Sequence, residues 1–310
     1  MTRPEIVLVG VDGSAPSLHA LDWAAAYAKR VGWSLHMVCS YSLPSFTAAS
    51  LDGGYAALDD TAIQEGAKAV LVEAQERVAA SGVPVTAAVV TGDAAGVLVE
   101  LSSDYGLAVV GTRGRGGFTE RLLGTVSSAL PAHARCPVVV VPYRQQDSGS
   151  DDPQRRDGDM VHEVRRIIVG VDGSPSAEAA LKAAVKQARV WDAELVAVAG
   201  VPVGSGAGVL AWLPAQIDHE QVLADVKAGL DVIVDRFEAE SDGLKIKRIV
   251  LDGTGAELLT EFSAAADLLV VGSRGRGGFR GLLLGSTSQA VLHHASCPVL
   301  VINRKCAPEE

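Results

Sequence analysis

The sequence has few aromatic side chains, few cysteines and no long apolar run. Phe, Tyr and Trp together make up 5% of its 310 residues, which suits Ala- and Val-rich helices on a sheet better than an aromatic-rich β-sandwich. Its four cysteines are too few for a disulfide scaffold and lack the spacing of a structural zinc site. We therefore expect a cytoplasmic protein without a metal centre of its own, in which Cys136 and Cys297 are small buried thiols.

Positive charge is also scarce. Lys and Arg number 27 against 37 Asp and Glu, which gives a net charge of −10. A negative field opposes non-specific binding to nucleic acid or to an anionic membrane. No apolar run approaches the roughly 18–20 residues of a membrane span, and the first apolar stretch is too short for a signal peptide. We expect neither a nucleic-acid partner nor a membrane partner.

Three sequence blocks occur twice, in the same order and at nearly the same offset of 160 or 161 residues. They are Val-Gly-Val-Asp-Gly-Ser at 9–14 and 169–174, Gly-Thr/Ser-Arg-Gly-Arg-Gly-Gly-Phe at 111–118 and 272–279, and Cys-Pro-Val at 136–138 and 297–299. The chain is therefore a tandem duplication of a unit of domain size. We predict one domain at 1–144 and a second at 164–306. The acidic, Gly- and Ser-containing segment 145–163 between them has little to bury and is predicted to be a flexible linker.

Each half alternates short apolar runs with helical patterns. Residues 5–11 form an apolar run typical of a parallel strand buried on both faces. Ser14 is suited to cap the helix that follows, and Gly32 to end it. Further strands are predicted at Ser34–Ser40, Pro84–Val90, Leu107–Gly111 and Pro137–Pro142, with helices between them, and the second half repeats this pattern near 166–171, 194–200, 245–251, 268–272 and 298–302. Strands that alternate with helices predict a doubly wound, Rossmann-like parallel α/β sheet, present twice in tandem.

Ligands of such sheets bind at the carboxyl ends of the strands beside the topological switch point. Two loops reach that place in each half. One follows the first strand and contains Asp12 and Gly13, or Asp172 and Gly173 in the second half. The other follows the fourth strand. Both loops are repeated segments, so sequence repetition and fold geometry point to the same site.

The loop after the fourth strand has glycines at a spacing that suits a phosphate. They are Gly111, Gly114 and Gly124, followed by Thr125, and in the second copy Gly272, Gly275 and Gly285, followed by Ser286. Glycines let backbone amides approach a phosphate closely. The free amides at the start of the next helix favour an anion, and the Thr or Ser hydroxyl can donate to phosphate or reach a bound Mg²⁺.

Further side chains of these loops suit the same ligand. Arg113 and Arg274 offer cationic forks for phosphate oxygens, and Ser127 and Ser288 can add donors. Asp12 and Asp172 would repel phosphate. They are better placed to accept hydrogen bonds from ribose hydroxyls or to coordinate a metal.

The glycine spacing after a Val-Asp-Gly-Ser strand end resembles the ATP-binding branch of the universal stress protein family, in its tandem-domain actinobacterial form. The resemblance covers both halves. It implies a five-stranded parallel sheet of order 3-2-1-4-5, ATP at the switch point and pairing through the fifth strand. It assigns Asp12 and Asp172 to the ribose or adenine side and the glycines with Thr125 and Ser286 to the phosphates. It also implies a backbone contact to adenine near Ser40 and Gly200.

The resemblance implies an ATP-binding regulator of the stress response or of growth arrest, with one ATP site per domain. No nucleophile–base pattern stands out in the sequence, so we expect no catalytic residues and little or slow hydrolysis. Two alternatives remain: an ATP-hydrolysing enzyme of the adenine-nucleotide α-hydrolase or ATP pyrophosphatase type, and a purely structural dimerisation module. The duplication also predicts pseudo-twofold pairing of the two halves and a homodimer.

Overall fold

The structure is a computed structural model that describes residues 3–42, 60–112, 114, 123–143, 163–202, 218–241, 243–275 and 283–306. Arg113 lies outside these residues. So does the predicted linker, apart from Glu163.

The described residues of the first half form five strands and four α-helices in alternation. They are β1 (Ile6–Gly10), α1 (Ala15–Val31), β2 (Ser34–Tyr41), α2 (Asp60–Val78), β3 (Val85–Thr91), α3 (Ala94–Leu101), β4 (Leu107–Gly111), α4 (Thr125–His133) and β5 (Val138–Val141). The second half repeats the order. Its elements are β6 (Arg166–Gly170), α5 (Pro175–Trp191), β7 (Glu194–Val201), α6 (His219–Ala239), β8 (Ile246–Asp252), α7 (Gly255–Phe262), β9 (Leu268–Gly272), α8 (Ser286–His294) and β10 (Val299–Ile302). The strand bounds agree with the sequence predictions to within one residue.

Local side chains define the ends of α1. The Ser14 hydroxyl accepts a hydrogen bond from the Ser17 amide, and Gly32 closes the helix in the left-handed region at φ 73°. Both signals were predicted from the sequence. In the second half Ser174 caps α5 in the same way, but Asp192 takes the left-handed position at φ 54°.

All ten strands form one continuous sheet, in the order β3-β2-β1-β4-β5-β10-β9-β6-β7-β8. The parallel α/β fold predicted for each half is confirmed, and read from its outer edge each half has the order 3-2-1-4-5. The two halves join through β5 and β10, which pair antiparallel with Val139 opposite Leu300. The sheet as a whole is therefore mixed rather than purely parallel. Association of two chains stays a prediction.

Helices cover both faces of the sheet, with α1, α2, α5 and α6 on one face and α3, α4, α7 and α8 on the other. A hydrophobic core lies on each face of the sheet, and successive strand residues point into the two cores alternately. Val7 and Val9 therefore face α1, while Leu8 packs on the opposite side. Cys136 and Cys297 are buried as expected, and desolvation raises the pKa of each thiol to about 12. Among the described helices, none is long and apolar enough to cross a membrane.

Contacts between the halves extend beyond the β5–β10 pairing. The Asn303 side-chain amide, 4% exposed, donates to the carbonyls of Pro131 and Ala132 at 3.3 and 2.8 Å. These carbonyls belong to the last turn of α4, which has no intrahelical donors for them. On the opposite face of the sheet, the Gln187 amide of α5 donates to the Tyr27 hydroxyl of α1. The halves are thus linked on both faces.

Candidate functional site

A cleft of about 360 Å³ opens in the first half at the carboxyl ends of β1 and β4. Its walls come from β1, β2, β4, the start of α1, the start of α3 and the start of α4. Its apolar floor includes Val38, Leu98 and Val110. This is the switch point at which the sequence analysis located the site.

Asp12 stands at the centre of the cleft wall, directly after β1. Its Oδ1 accepts hydrogen bonds from the Ser14 amide at 3.0 Å and the Ser14 hydroxyl at 2.6 Å. Ser14 is in turn the N-cap of α1. The carboxylate is therefore held in a fixed orientation by the first turn of that helix.

The glycine loop approaches the same carboxylate at Gly114. A Cβ on Gly114 would overlap the Asp12 Oδ2 atom, which is the nearest heavy atom to that position. Only a residue without a side chain fits here without displacing the carboxylate. The glycine brings the loop after β4 into contact with the loop after β1, as the motif predicted.

The cleft also opens onto the start of α4. Gly124 is the N-cap of this helix and provides no capping side chain, whereas α1 and α3 are capped by Ser14 and Asp93. The first amides of a helix have no intrahelical partners. The start of α4, where Thr125 lines the cleft, therefore has hydrogen-bonding capacity for an anion.

Ser127 lines the cleft but already uses its hydroxyl within the protein. Its Oγ donates to the Thr112 carbonyl at 2.7 Å and accepts from the Gly124 amide at 2.9 Å, and the residue is 1% exposed. Ser288 likewise donates to the Gly272 carbonyl at 2.7 Å. The two serines hold their loops against the sheet, whereas the sequence analysis expected them to be further donors to phosphate.

The second half has a cleft at the equivalent place, of about 150 Å³. Asp172 accepts a hydrogen bond from the Ser174 amide at 2.9 Å. A Cβ on Gly275 would come within 2.5 Å of the Asp172 Oδ2 atom. Arg274 lines this cleft, and its buried Nε has no hydrogen-bond partner among the described residues. A cation there suits an anionic ligand.

The structure brings most of the predicted site residues together. Those that line the two clefts are Asp12, Ser40, Gly111, Gly114, Gly124, Thr125 and Ser127 in the first half, and Asp172, Gly200, Gly272, Arg274, Gly275 and Ser288 in the second. Gly13 and Gly173 instead form the left-handed turns behind the aspartates, at φ 75° and 73°. Gly285 and Ser286 lie at the start of α8 but do not line the smaller cleft.

The contribution of the starts of α3 and α7 was not predicted from the sequence. Asp93 and Ala94 line the first cleft, and Gly255 and Leu259 line the second. The signal was available, because these helices follow β3 and β8, whose carboxyl ends lie at the same edge of the sheet. Thr287 was also missed, although it follows the predicted Ser286 directly.

The fold and the cleft together define a class of protein. It is a doubly wound α/β protein with a glycine loop at the switch point, and this loop leads into a helix whose N-cap residue is a glycine. Comparison with known proteins gives the family. The model of the universal stress protein family matches residues 4–142 and 163–303, and the chain belongs to that family.

Relatives with the same tandem organisation occur in mycobacteria. A universal stress protein of Mycobacterium tuberculosis is 33% identical over 309 residues, covering 95% of both chains. One from Mycolicibacterium smegmatis is 32% identical and covers 96% of both. Among solved structures, a universal stress protein of Archaeoglobus fulgidus matches with a TM-score of 0.69 at 22% identity, over 98% of this chain and all of that one. That likeness supports the fold.

Proposed function

We propose that this universal stress protein is an ATP-binding regulator of the stress response or of growth arrest. The observation that carries the proposal is the start of α4 at the mouth of the first cleft, where the N-cap Gly124 has no side chain to bond the first-turn amides. Those amides and the positive end of the helix dipole suit a phosphate group. The volume of about 360 Å³ lies in the range of small-molecule sites.

The residues suggest how a nucleotide is held. The amide of Gly114 and the first amides of α4 would hold the phosphates, and the Thr125 hydroxyl would add a donor. Asp12 lies beside Gly114, and its carboxylate would accept hydrogen bonds from the ribose hydroxyls. Mg²⁺ bound with ATP would neutralise part of the phosphate charge, and the Thr125 hydroxyl is the side chain at the α4 start that would reach it. The residues of the cleft orient the ligand and enclose it.

A regulatory role fits this site better than turnover. Phosphoryl transfer needs a group that orients the attacking water as well as charge stabilisation. Among the described residues, the two carboxylates that line the cleft, Asp12 and Asp93, each hold a helix start through hydrogen bonds from Ser14 and from the Gly96 amide. We therefore propose little or slow hydrolysis.

Extraction of nucleotide from the purified full-length chain tests the proposal. We expect adenine nucleotide in the extract, and calorimetric titration of the stripped protein with ATP and Mg²⁺ to give saturable binding. Absence of extracted nucleotide together with no heat of ATP binding would refute it. Steady release of AMP and pyrophosphate from bound ATP would instead support an enzyme of the ATP pyrophosphatase type.

A further inference from the structure

The two clefts differ in size although their glycine loops are nearly identical in sequence. The first measures about 360 Å³ and the second about 150 Å³. Sites for drug-sized ligands occupy roughly 300–1,000 Å³. The first cleft lies in that range and the second lies well below it. Among the described residues, the two clefts differ at the carboxyl ends of β2 and β7, away from the glycine loops.

The second cleft is bordered near the end of β7 by Gly200. Gly200 is so closely covered that a Cβ there would come within 2.7 Å of the Leu258 Cδ1 atom and 2.8 Å of the Gly253 carbonyl oxygen. The Gly255 amide nitrogen would be 3.4 Å away. The loop before α7 and the side chain of Leu258 therefore lie directly on the backbone of Gly200.

The first half has a different pair of residues at these positions. Ser40 stands where the second half has Gly200, and Val97 where it has Leu258. The Ser40 side chain needs the space that Leu258 and its loop fill in the second half, and Val97 is shorter by one carbon. Leu258 is buried, at 8% exposed, while Val97 is only partly buried. Ser40 accordingly lines an open cleft.

From these contacts we infer that the two sites are unequal: the first half holds ATP tightly, and Leu258 packed on Gly200 obstructs the second. This inference rests on the proposed function. Gly200 lies near the carboxyl end of β7, two strands away from β9, after which the glycine loop begins. The obstruction is therefore on the side left for the nucleoside when the phosphates occupy that loop. Ser40 and Val97, against Gly200 and Leu258, are thus the residues that determine occupancy.

Equilibrium dialysis of the full-length chain against ATP and Mg²⁺ tests the inference through stoichiometry and affinity. We expect one tightly bound ATP per chain and a second site at least tenfold weaker. The double variant L258V/G200S gives the second half the residues of the first and should raise its affinity tenfold or more, towards two equal sites. The reciprocal variant V97L/S40G should weaken the tight site by a similar factor.

The single variant L258V keeps the inference testable if the double variant does not fold. It removes one methylene from the obstruction without adding a side chain at Gly200, and it should strengthen the weak site by several-fold. Two equal sites in the unmodified chain, or a weak site unchanged in both Leu258 variants, would overturn the inference and leave ATP binding intact. No ATP binding by the unmodified chain or by any variant would instead refute the proposed function.

Discussion

The contact between Gly114 and Asp12 makes Gly114→Ala the most informative single substitution. The new Cβ overlaps the Asp12 Oδ2 atom. The carboxylate is a rigid group, so displacing Oδ2 also moves Oδ1 away from its two hydrogen bonds to Ser14. In the free protein the loop can relieve the overlap by moving away from Asp12. ATP needs both the glycine loop and the Asp12 carboxylate in their original places, so the overlap lowers the affinity for ATP.

The expected loss of affinity for ATP follows from the two hydrogen bonds between Ser14 and Asp12. A hydrogen bond to a charged group contributes ~1.5–3 kcal/mol. If binding ATP requires the variant to lose one of the two Ser14 bonds, the affinity falls by about 10- to 150-fold. Isothermal titration of the full-length chain with ATP and Mg²⁺ measures this change at the tight site.

Gly66→Ala is the matched control. Gly66 lies within α2, and a Cβ there meets no other atom within 4 Å. Replacing a helix-interior glycine by alanine stabilises a protein by roughly 0.5–1 kcal/mol, so this variant should melt at the same or a higher temperature and bind ATP normally. If folded Gly114→Ala bound ATP with an affinity within twofold of that of the unmodified chain, the contact between Gly114 and Asp12 would not be needed for binding.

Three further predictions concern the stability of the fold and the reactivity of its buried thiols. Asn303→Ala removes the buried donor to Pro131 and Ala132, so the free energy of unfolding in urea should fall by about 1–3 kcal/mol; an unchanged midpoint would contradict this role. The pKa of the Cys136 and Cys297 thiols is raised from 9.0 to about 12, so their stabilisation is complete below pH 9 and is lost as the pH rises towards 12, by ~1.4 kcal/mol per pH unit per thiol. The variant C136A/C297A should therefore lose stability less steeply between pH 9 and 11, and an unaltered slope would argue against the shift. With a thiol-specific disulfide reagent at pH 8, both thiols should react only on unfolding, because so little thiolate forms in the folded chain.

The regular elements could be predicted because their signals are local. The apolar run at 5–11, the cap at Ser14 and the left-handed glycine at Gly32 each depend on neighbours within one or two turns. The duplication then gave every element a second, independent observation. Strand bounds accordingly agree to within one residue.

Contacts between distant residues escaped the sequence reasoning. Asn303 reaches the end of α4 across a separation of 171 residues, and nothing in its neighbourhood in the chain indicates that role. Ser127 was predicted at the site and lies there, but whether its hydroxyl faces a ligand or the Thr112 carbonyl depends on the fold of the loop. Side-chain orientation of this kind follows from packing rather than from spacing.

The difference between the two clefts could be predicted from the sequence only in part. The substitutions that produce it, Ser40 against Gly200 and Val97 against Leu258, are visible once the halves are aligned. Their consequence is not, because Gly200 and Leu258 are brought together only when α7 packs across the end of β7. The motif therefore predicted two like sites, and the packing distinguishes them.

A crystal structure of the full-length chain grown with ATP and Mg²⁺ would show directly where the nucleotide binds. We expect density for the triphosphate in the first half, within hydrogen-bonding distance of the Gly114 amide and the start of α4, with the ribose beside Asp12. ATP bound outside this cleft, or with its phosphates away from the α4 start, would contradict it.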